Sequence, residues 1–159
     1  MHKKKQRGVT LIELIVVIIV MGIIIAGSAD LLLQGFKSYA VGSIYINSDW
    51  QATVAMERMS RELHSMPSQN YIATALANRI VFTDVNGSLI DYKIVGSSLM
   101  RNNQVLADYV QNMTISYFDQ NGATTTVIGA IRYINIVLTI AYGNKSVSFT
   151  NAVNLWNTV

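Results

Sequence analysis

The run from Val9 to Ala29, "VTLIELIVVIIVMGIIIAGSA", constrains this chain more than any other feature. Across its 21 residues only Thr10, Glu13 and Ser28 are clearly polar. As a helix it rises about 31 Å, close to the hydrocarbon thickness of a bilayer. Lys3, Lys4, Lys5 and Arg7 precede it, and a basic block in front of an apolar run reads as a cytoplasmic anchor under the positive-inside rule. Glu13 is the anomaly, because an unpaired carboxylate in lipid costs roughly 3 kcal/mol on insertion scales and usually has a job.

Three readings of this segment are open. A secretory signal peptide would use the basic start and the small residues "AGSA" (26–29) for cleavage after Ala29, but its apolar core is normally only about 7–15 residues long. A plain single-span anchor fits the length and leaves Glu13 without a role. The third reading rests on "KQRGVTLIE", residues 5–13: a short basic leader ending in glycine, an apolar residue, and a glutamate five positions after the glycine. Here the chain resembles the type IV prepilins and the type II secretion pseudopilins. The resemblance implies that a membrane peptidase cuts between Gly8 and Val9 and methylates the new amine of Val9, so that the leader is removed and the apolar helix is kept. It also implies that Glu13 serves filament assembly, by pairing with the N-terminal amine of a neighbouring subunit. Physical chemistry is consistent with that role, since a carboxylate in lipid is driven to find a cation. A plainer possibility is that Glu13, about 6 Å above residue 9, reaches the cytoplasmic interface with its long side chain. The sequence departs from the family pattern twice. Val9 stands where phenylalanine is commonest, and Asp30 stands where many members carry proline.

The charge balance narrows the rest. The formal net charge of +3 includes the four basic residues of the leader; from Val9 onward eight basic residues face nine acidic ones. The basic character is therefore that of a tail and not of a nucleic-acid-binding surface. The chain has no cysteine and one proline, so there is no disulfide framework and no thiolate metal site. Without the apolar segment roughly 130 residues remain, enough for one domain with its own core.

After Ala29 the sequence stays helix-compatible up to Pro67, with Gly35 and Gly42 as places for a bend. Ala52, Ala55, Met59, Leu63 and Met66 recur at helical spacing and predict one buried stripe. Trp50 and Tyr39 are read as packing or interfacial residues. Glu57–Arg61 and Arg58–Glu62 are i,i+4 pairs expected on exposed faces. Past Pro67 the period changes to two. "RIVFTDV" and "SLIDYKIVG" flank Asn86-Gly87 and predict a hairpin. A short strand is expected around Leu99–Arg101, and another in "VQNMTISYFDQNG". A second hairpin is expected with Ile134, Ile136, Leu138, Ile140 and Tyr142 on one face, Gly143-Asn144 at its turn, and Val147, Phe149, Ala152 or Val153, and Leu155 returning. The fold class is α+β: a long N-terminal helix, its first half transmembrane, packed on an antiparallel β-sheet headgroup, an arrangement the pilin resemblance also implies. Four segments follow: a leader over 1–8, a transmembrane segment over 9–29, a continuing amphipathic helix over 30–66 and a headgroup over 67–159. The stretch "SSLMRNNQVLADYVQNMTISYFDQNG" bears a weaker resemblance to minor pilins and minor pseudopilins.

Signals for catalysis or ligand binding are thin. His64 is the one histidine after the leader and reads as a solvated helix residue. There is no GxSxG elbow, Walker loop or dinucleotide glycine motif. "DVNG" (84–87) and "DQNG" (119–122) suggest calcium loops at first sight, but Asp and Asn are also what tight turns prefer, and the twelve-residue loop with a closing glutamate is missing. Three N-x-S/T triplets match the glycosylation pattern, which arises often by chance.

The expectation is thus a filament subunit, a minor pilin or pseudopilin, with no enzymatic activity, no cofactor and no metal. Its partners would be the prepilin peptidase, other pilin or pseudopilin subunits, inner-membrane lipid and an inner-membrane assembly platform, with no nucleic acid. It would cross the bacterial inner membrane once, with its headgroup in the periplasm or outside. The alternatives are a membrane-anchored monomeric binding module and a secreted hydrolase cleaved after Ala29.

Overall fold

The computed structural model describes residues 8–142 and 145–155. The leader before Gly8 and the expected Gly143-Asn144 turn lie outside the described residues. The chain divides into two compact units, Met1–Ser43 and Ile44–Val159.

One helix, α1 (Leu11–His64), runs through both units without interruption at Gly22, Gly27, Gly35, Gly42 or Asp30. In the first unit it is apolar on every side: Leu11, Ile12, Val16, Ile19, Ile23 and Leu31 are all exposed. A helix that is hydrophobic all round belongs inside protein or lipid. A Cβ added at Gly22, Gly27, Gly35 or Gly42 would meet nothing within 4 Å, so these glycines make no close packing within the chain. Ser28 bonds back to the Ile24 carbonyl at 2.7 Å, which satisfies its hydroxyl inside the apolar run.

In the second unit α1 becomes one-sided. Ala52, Ala55, Met59 and Leu63 are buried, together with Ser48 and Met56, and Met66 beyond the helix end is buried too. The stripe read from the sequence is therefore the core face. Trp50 and Tyr39, at 69% and 78% exposure, are not part of that core. The helix closes through a tightened last turn. Ser65 N–H donates to the carbonyls of Arg61 and Glu62, and Met66 N–H donates to Leu63. These bonds satisfy helix carbonyls before Pro67.

The strands form two antiparallel sheets where one headgroup sheet was expected. The first is a five-stranded meander, β1 (Ile72–Leu76), β2 (Arg79–Thr83), β3 (Leu89–Val95), β4 (Ser98–Arg101) and β5 (Gln104–Ala107), in sequential order. The second is three-stranded, β6 (Val110–Phe118), β7 (Tyr133–Tyr142) and β8 (Lys145–Asn154). Backbone bonds from Ile115 N to Ala77 O at 2.7 Å and from Val110 N to Ser97 O at 2.8 Å join the two sheets. Along β7 the residues Ile134, Ile136, Leu138, Ile140 and Tyr142 are buried, and the intervening ones are not. On β8 Val153 is the buried residue and Ala152 is exposed, Phe149 packs against the core from the side, and Val147 is exposed. Residues from α1 and from both sheets form one hydrophobic cluster.

The turns explain the register. Asn86-Gly87 does not form a two-residue loop. Asp84 and Ser88 close a three-residue loop, with Asp84 N donating to Ser88 O and Gly87 N to Asp84 O, and Gly87 alone at φ +79°. That is a type I turn followed by a left-handed residue, which glycine occupies without steric cost. Asp119–Ala123 repeats it bond for bond, with Gly122 at φ +76°. Two-residue loops join other strands: Ala77-Asn78 between the paired residues Leu76 and Arg79, Gly96-Ser97 between Val95 and Ser98, and Asn102-Asn103, both at positive φ, between Arg101 and Gln104.

Candidate functional site

Gly8, Val9 and Thr10 precede the first helical residue and are exposed. The Gly8–Val9 peptide bond thus lies outside the helix, and nothing crowds Gly8 within 4 Å of an added Cβ. The helix begins when Glu13 N and Leu14 N both donate to the Thr10 carbonyl, at 3.1 and 3.2 Å. Glu13 is therefore in the first turn. There the helix dipole favours its negative charge by about 0.3–1 kcal/mol. That is less than the roughly 3 kcal/mol that a carboxylate costs at depth in lipid. The Glu13 side chain is exposed and has no bonding partner among the described residues.

The helix that carries Glu13 is long and apolar enough to cross a membrane, and none of its apolar window is buried against the rest of the protein. Gly8, Val9 and Glu13 thereby lie at the start of that helix, with Gly8 and Val9 before its first residue and Glu13 in its first turn.

The most concentrated polar constellation lies in the second unit and was not foreseen as such. Glu62 on α1 accepts from Arg58 Nε at 3.0 Å, from Arg101 Nε at 3.0 and 2.9 Å, and from the Tyr92 hydroxyl at 2.7 Å. Tyr92 is fully buried and the Arg101 side chain is 18% exposed. Burial pushes the Glu62 carboxyl up, but the hydrogen bonds from Arg101, Tyr92 and Arg58 outweigh it and hold the group below the usual carboxylate range. Burial first, and then the bond to Glu62, push the Tyr92 phenol up. The group pins α1 to β3 and β4, and every member has a structural partner. It corrects the expectation for the Arg58–Glu62 pair, whose carboxylate sits half-buried in a four-residue network. Glu57 and Arg61 form no ion pair among the described residues. The signal available in the sequence was Glu62 on the polar border of the apolar stripe; nothing in the spacing said that Arg101 would reach it.

A second cluster joins Tyr45, Tyr109 and Tyr142. Tyr45 and Tyr142 meet edge to face at 4.8 Å between centroids, and Tyr109 lies 5.4 Å from Tyr142. The Tyr142 hydroxyl and Asp49 Oδ1 are buried without a hydrogen-bond partner among the described residues. Burial, and then the Asp49 charge, push the Tyr142 phenol up.

The remaining candidates resolve locally. His64 is exposed and its Nδ1 lies 2.8 Å from the Ser60 carbonyl, to which it donates. Asp84 Oδ1 accepts the N–H groups of Asn86 and Ser88, and Asp119 Oδ1 accepts those of Asn121 and Ala123. Both "DxNG" loops therefore use their aspartate as a turn residue. No group of three or more metal-ligating side chains occurs among the described residues.

Comparison with known families finds the prokaryotic N-terminal methylation motif at residues 3–29. The motif marks the chain as a type IV pilin- or pseudopilin-like prepilin. The motif implies processing by prepilin peptidase and assembly with other pilin subunits. No curated protein matches the chain. No solved structure matches it either.

Proposed function

We propose that this chain is a structural subunit, a minor pilin or minor pseudopilin, of a type IV pilus or type II secretion filament. Prepilin peptidase cuts it between Gly8 and Val9 and methylates the Val9 amine. The mature protein crosses the bacterial inner membrane once through the first part of α1, with its headgroup in the periplasm or outside. From there it enters the filament through an inner-membrane assembly platform. The observation that carries this reading is the methylation motif at residues 3–29, continuous with a helix that is apolar on every side. Glu13 deepens it. Its carboxylate has no partner among the described residues, and the helix dipole is too weak to hold it in lipid. The amine of a neighbouring mature subunit supplies the missing cation, so the isolated subunit is electrostatically unsatisfied and the assembled one is not.

The test is mass spectrometry of the exported protein, followed by filament isolation. An N-methylated Val9 at the mature N-terminus is expected. A start at Asp30 would end this reading in favour of a secreted protein cut after Ala29. Glu13→Ala should still insert in the membrane but disappear from sheared filaments. Normal incorporation of that variant would remove the role given to Glu13, and a processed chain never found in filaments would point to a monomeric anchored binding module.

A further inference from the structure

Two buried polar atoms in one neighbourhood of the second unit have no hydrogen-bond partner among the described residues. They are Asp49 Oδ1 on α1 and the Tyr142 hydroxyl at the end of β7. Tyr142 is 6% exposed, and the Asp49 charge is felt at its hydroxyl, where it adds to the effect of burial. Buried polar groups are normally bonded, and each exception asks for a cause. A buried charge is normally paired, yet no lysine or arginine pairs with Asp49 among the described residues.

The surroundings sort the occupants that could satisfy both atoms. Tyr45, one turn before Asp49 on α1, sets its ring 4.8 Å from that of Tyr142 and donates its hydroxyl to the Tyr142 carbonyl at 3.4 Å. Tyr109 adds a third ring, 5.4 Å from Tyr142. A carboxylate oxygen only accepts, the Tyr142 oxygen keeps its lone pairs, and ring faces are negative. Each of these attracts a cation that donates hydrogen bonds. A divalent metal does not fit, because hard cations take about six oxygens or more, and Asp49 is the one carboxylate in the cluster. Tyr109 is itself an anomaly, since it stands at φ +60°, an outlier for so bulky a residue. Neighbouring bonds fix it there: its carbonyl accepts from Ala141 N at 3.0 Å, Val110 N donates to Ser97 O at 2.8 Å, and Asp108 N donates to Gln51 Oε1 at 3.1 Å. Strain of this kind gathers at ligand clamps. The Tyr109 side chain is half-exposed, so it is the wall of the cluster that opens to solvent.

We propose that Asp49, Tyr142, Tyr45 and Tyr109 form a binding site for one organic ammonium group. Its N–H groups bond to Asp49 Oδ1 and to the Tyr142 hydroxyl oxygen, and the rings surround its charge. It enters as the Tyr109 side chain swings into solvent. The site goes beyond the filament reading and does not depend on it. A free amine and a lysine of a neighbouring subunit both present this chemistry, and the experiment separates them.

The test is a titration of the full chain in non-ionic detergent with methylammonium chloride, read by NMR of ring-labelled tyrosine. The Tyr142 and Tyr109 signals should shift together and saturate in the millimolar range. Sodium chloride at equal ionic strength should not move them, and tetramethylammonium, which carries the charge without an N–H, should bind far more weakly. Asp49→Asn should weaken methylammonium at least about tenfold, the loss expected for 1.4 kcal/mol. Glu57→Gln, which changes an exposed acid of the same helix, should leave binding as it is. Tyr142→Phe deletes an unbonded buried hydroxyl, so it should weaken binding several-fold without lowering the melting temperature. Shifts that stay linear with methylammonium, wild-type binding by Asp49→Asn, or a lower melting temperature for Tyr142→Phe overturn the proposal. Sheared filaments then identify the source. A Tyr142 signal already at its bound position, and unmoved by methylammonium, assigns the group to a lysine of a neighbouring subunit. A signal that still titrates assigns it to a free amine.

Discussion

Glu62→Gln tests how the headgroup is held to its helix. The substitution keeps volume and removes charge. Arg58, with a side chain 40% exposed, gives up little, as exposed pairs are worth about 0–1 kcal/mol. The loss concentrates on Arg101 and Tyr92. Arg101 Nε makes bonds of 2.9 and 3.0 Å to the carboxylate. A hydrogen bond to a charged group contributes about 1.5–3 kcal/mol and a neutral one about 1. The Tyr92 hydroxyl at 2.7 Å can still donate to the amide oxygen, but the new amide N–H groups then face the guanidinium, donor against donor. The net cost is about 2 kcal/mol, which for a domain of this size lowers the melting temperature by roughly 6–12 °C. Circular dichroism melts of the full chain in detergent at neutral pH measure it. A double-mutant cycle with Tyr92→Phe should show a coupling of about 1 kcal/mol. A melting temperature within 2 °C of wild type, or strict additivity in the cycle, would refute the view that this network fastens α1 to β3 and β4.

The same carboxylate sets a pH dependence. Its folded-state pKa lies below the ordinary value, so the stability it contributes is fully present above about pH 5 and is lost as pH falls through the unfolded value near 4.3 toward the folded one. The gap in melting temperature between wild type and Glu62→Gln should therefore be constant from pH 7 to 5 and shrink below; a gap unchanged at pH 3 contradicts it. Gly87→Ala and Gly122→Ala should each cost about 1–2 kcal/mol by chemical denaturation, because both positions have positive φ and open space around them, leaving backbone strain as the whole effect. A neutral result would mean the loops relax to another turn. Arg79→Ala breaks the surface contacts to Asp91 at 2.9 and 3.1 Å and should leave the denaturation midpoint almost unchanged, with any shift fading further in high salt.

How much of this could be read from the sequence depends on what each element answers to. The helix stripe was legible because burial on a helix repeats at fixed spacing, and Ala52, Ala55, Met59, Leu63 and Met66 are all buried. β7 was legible for the same reason at period two. The first sheet was read as a hairpin and one further strand, because β1 and β5 are four or five residues long and carry no clean alternation. Turn chemistry misled in an instructive direction. Asn-Gly is the strongest two-residue hairpin signal, yet Asp84 accepts two backbone N–H groups and draws the loop into the three-residue form. Asn102-Asn103 forms a two-residue turn without glycine, since asparagine is among the few residues that visit the left-handed region. On β8 the choice between Ala152 and Val153 stayed open until the unbroken register with β7 set Val153 opposite Ile134.

The two ends of α1 show why the functional residues divide as they do. Glu13 stands out in the sequence because it interrupts an apolar run long enough to cross a membrane, where one rule holds for every residue and a carboxylate is conspicuous. Glu62 does not stand out, because its meaning depends on Tyr92 and Arg101, which lie 30 and 39 residues further along the chain. Both are glutamates of one helix whose charge is costly without a partner. For Glu62 the headgroup supplies the cation and the phenol, and the result is a fixed joint. For Glu13 the described residues supply no partner, which is the gap that the proposed pairing with a neighbouring subunit would fill. An acid satisfied within the chain stabilises a fold, whereas one left unsatisfied at the end of an apolar helix favours association. Exchanging these conditions is a direct check. A cation built in beside Glu13, by Val9→Lys with processing retained, should satisfy the carboxylate within its own chain and reduce recruitment into filaments while leaving the headgroup melting temperature unchanged. Filament levels equal to wild type would show that Glu13 does not act through an unmet charge.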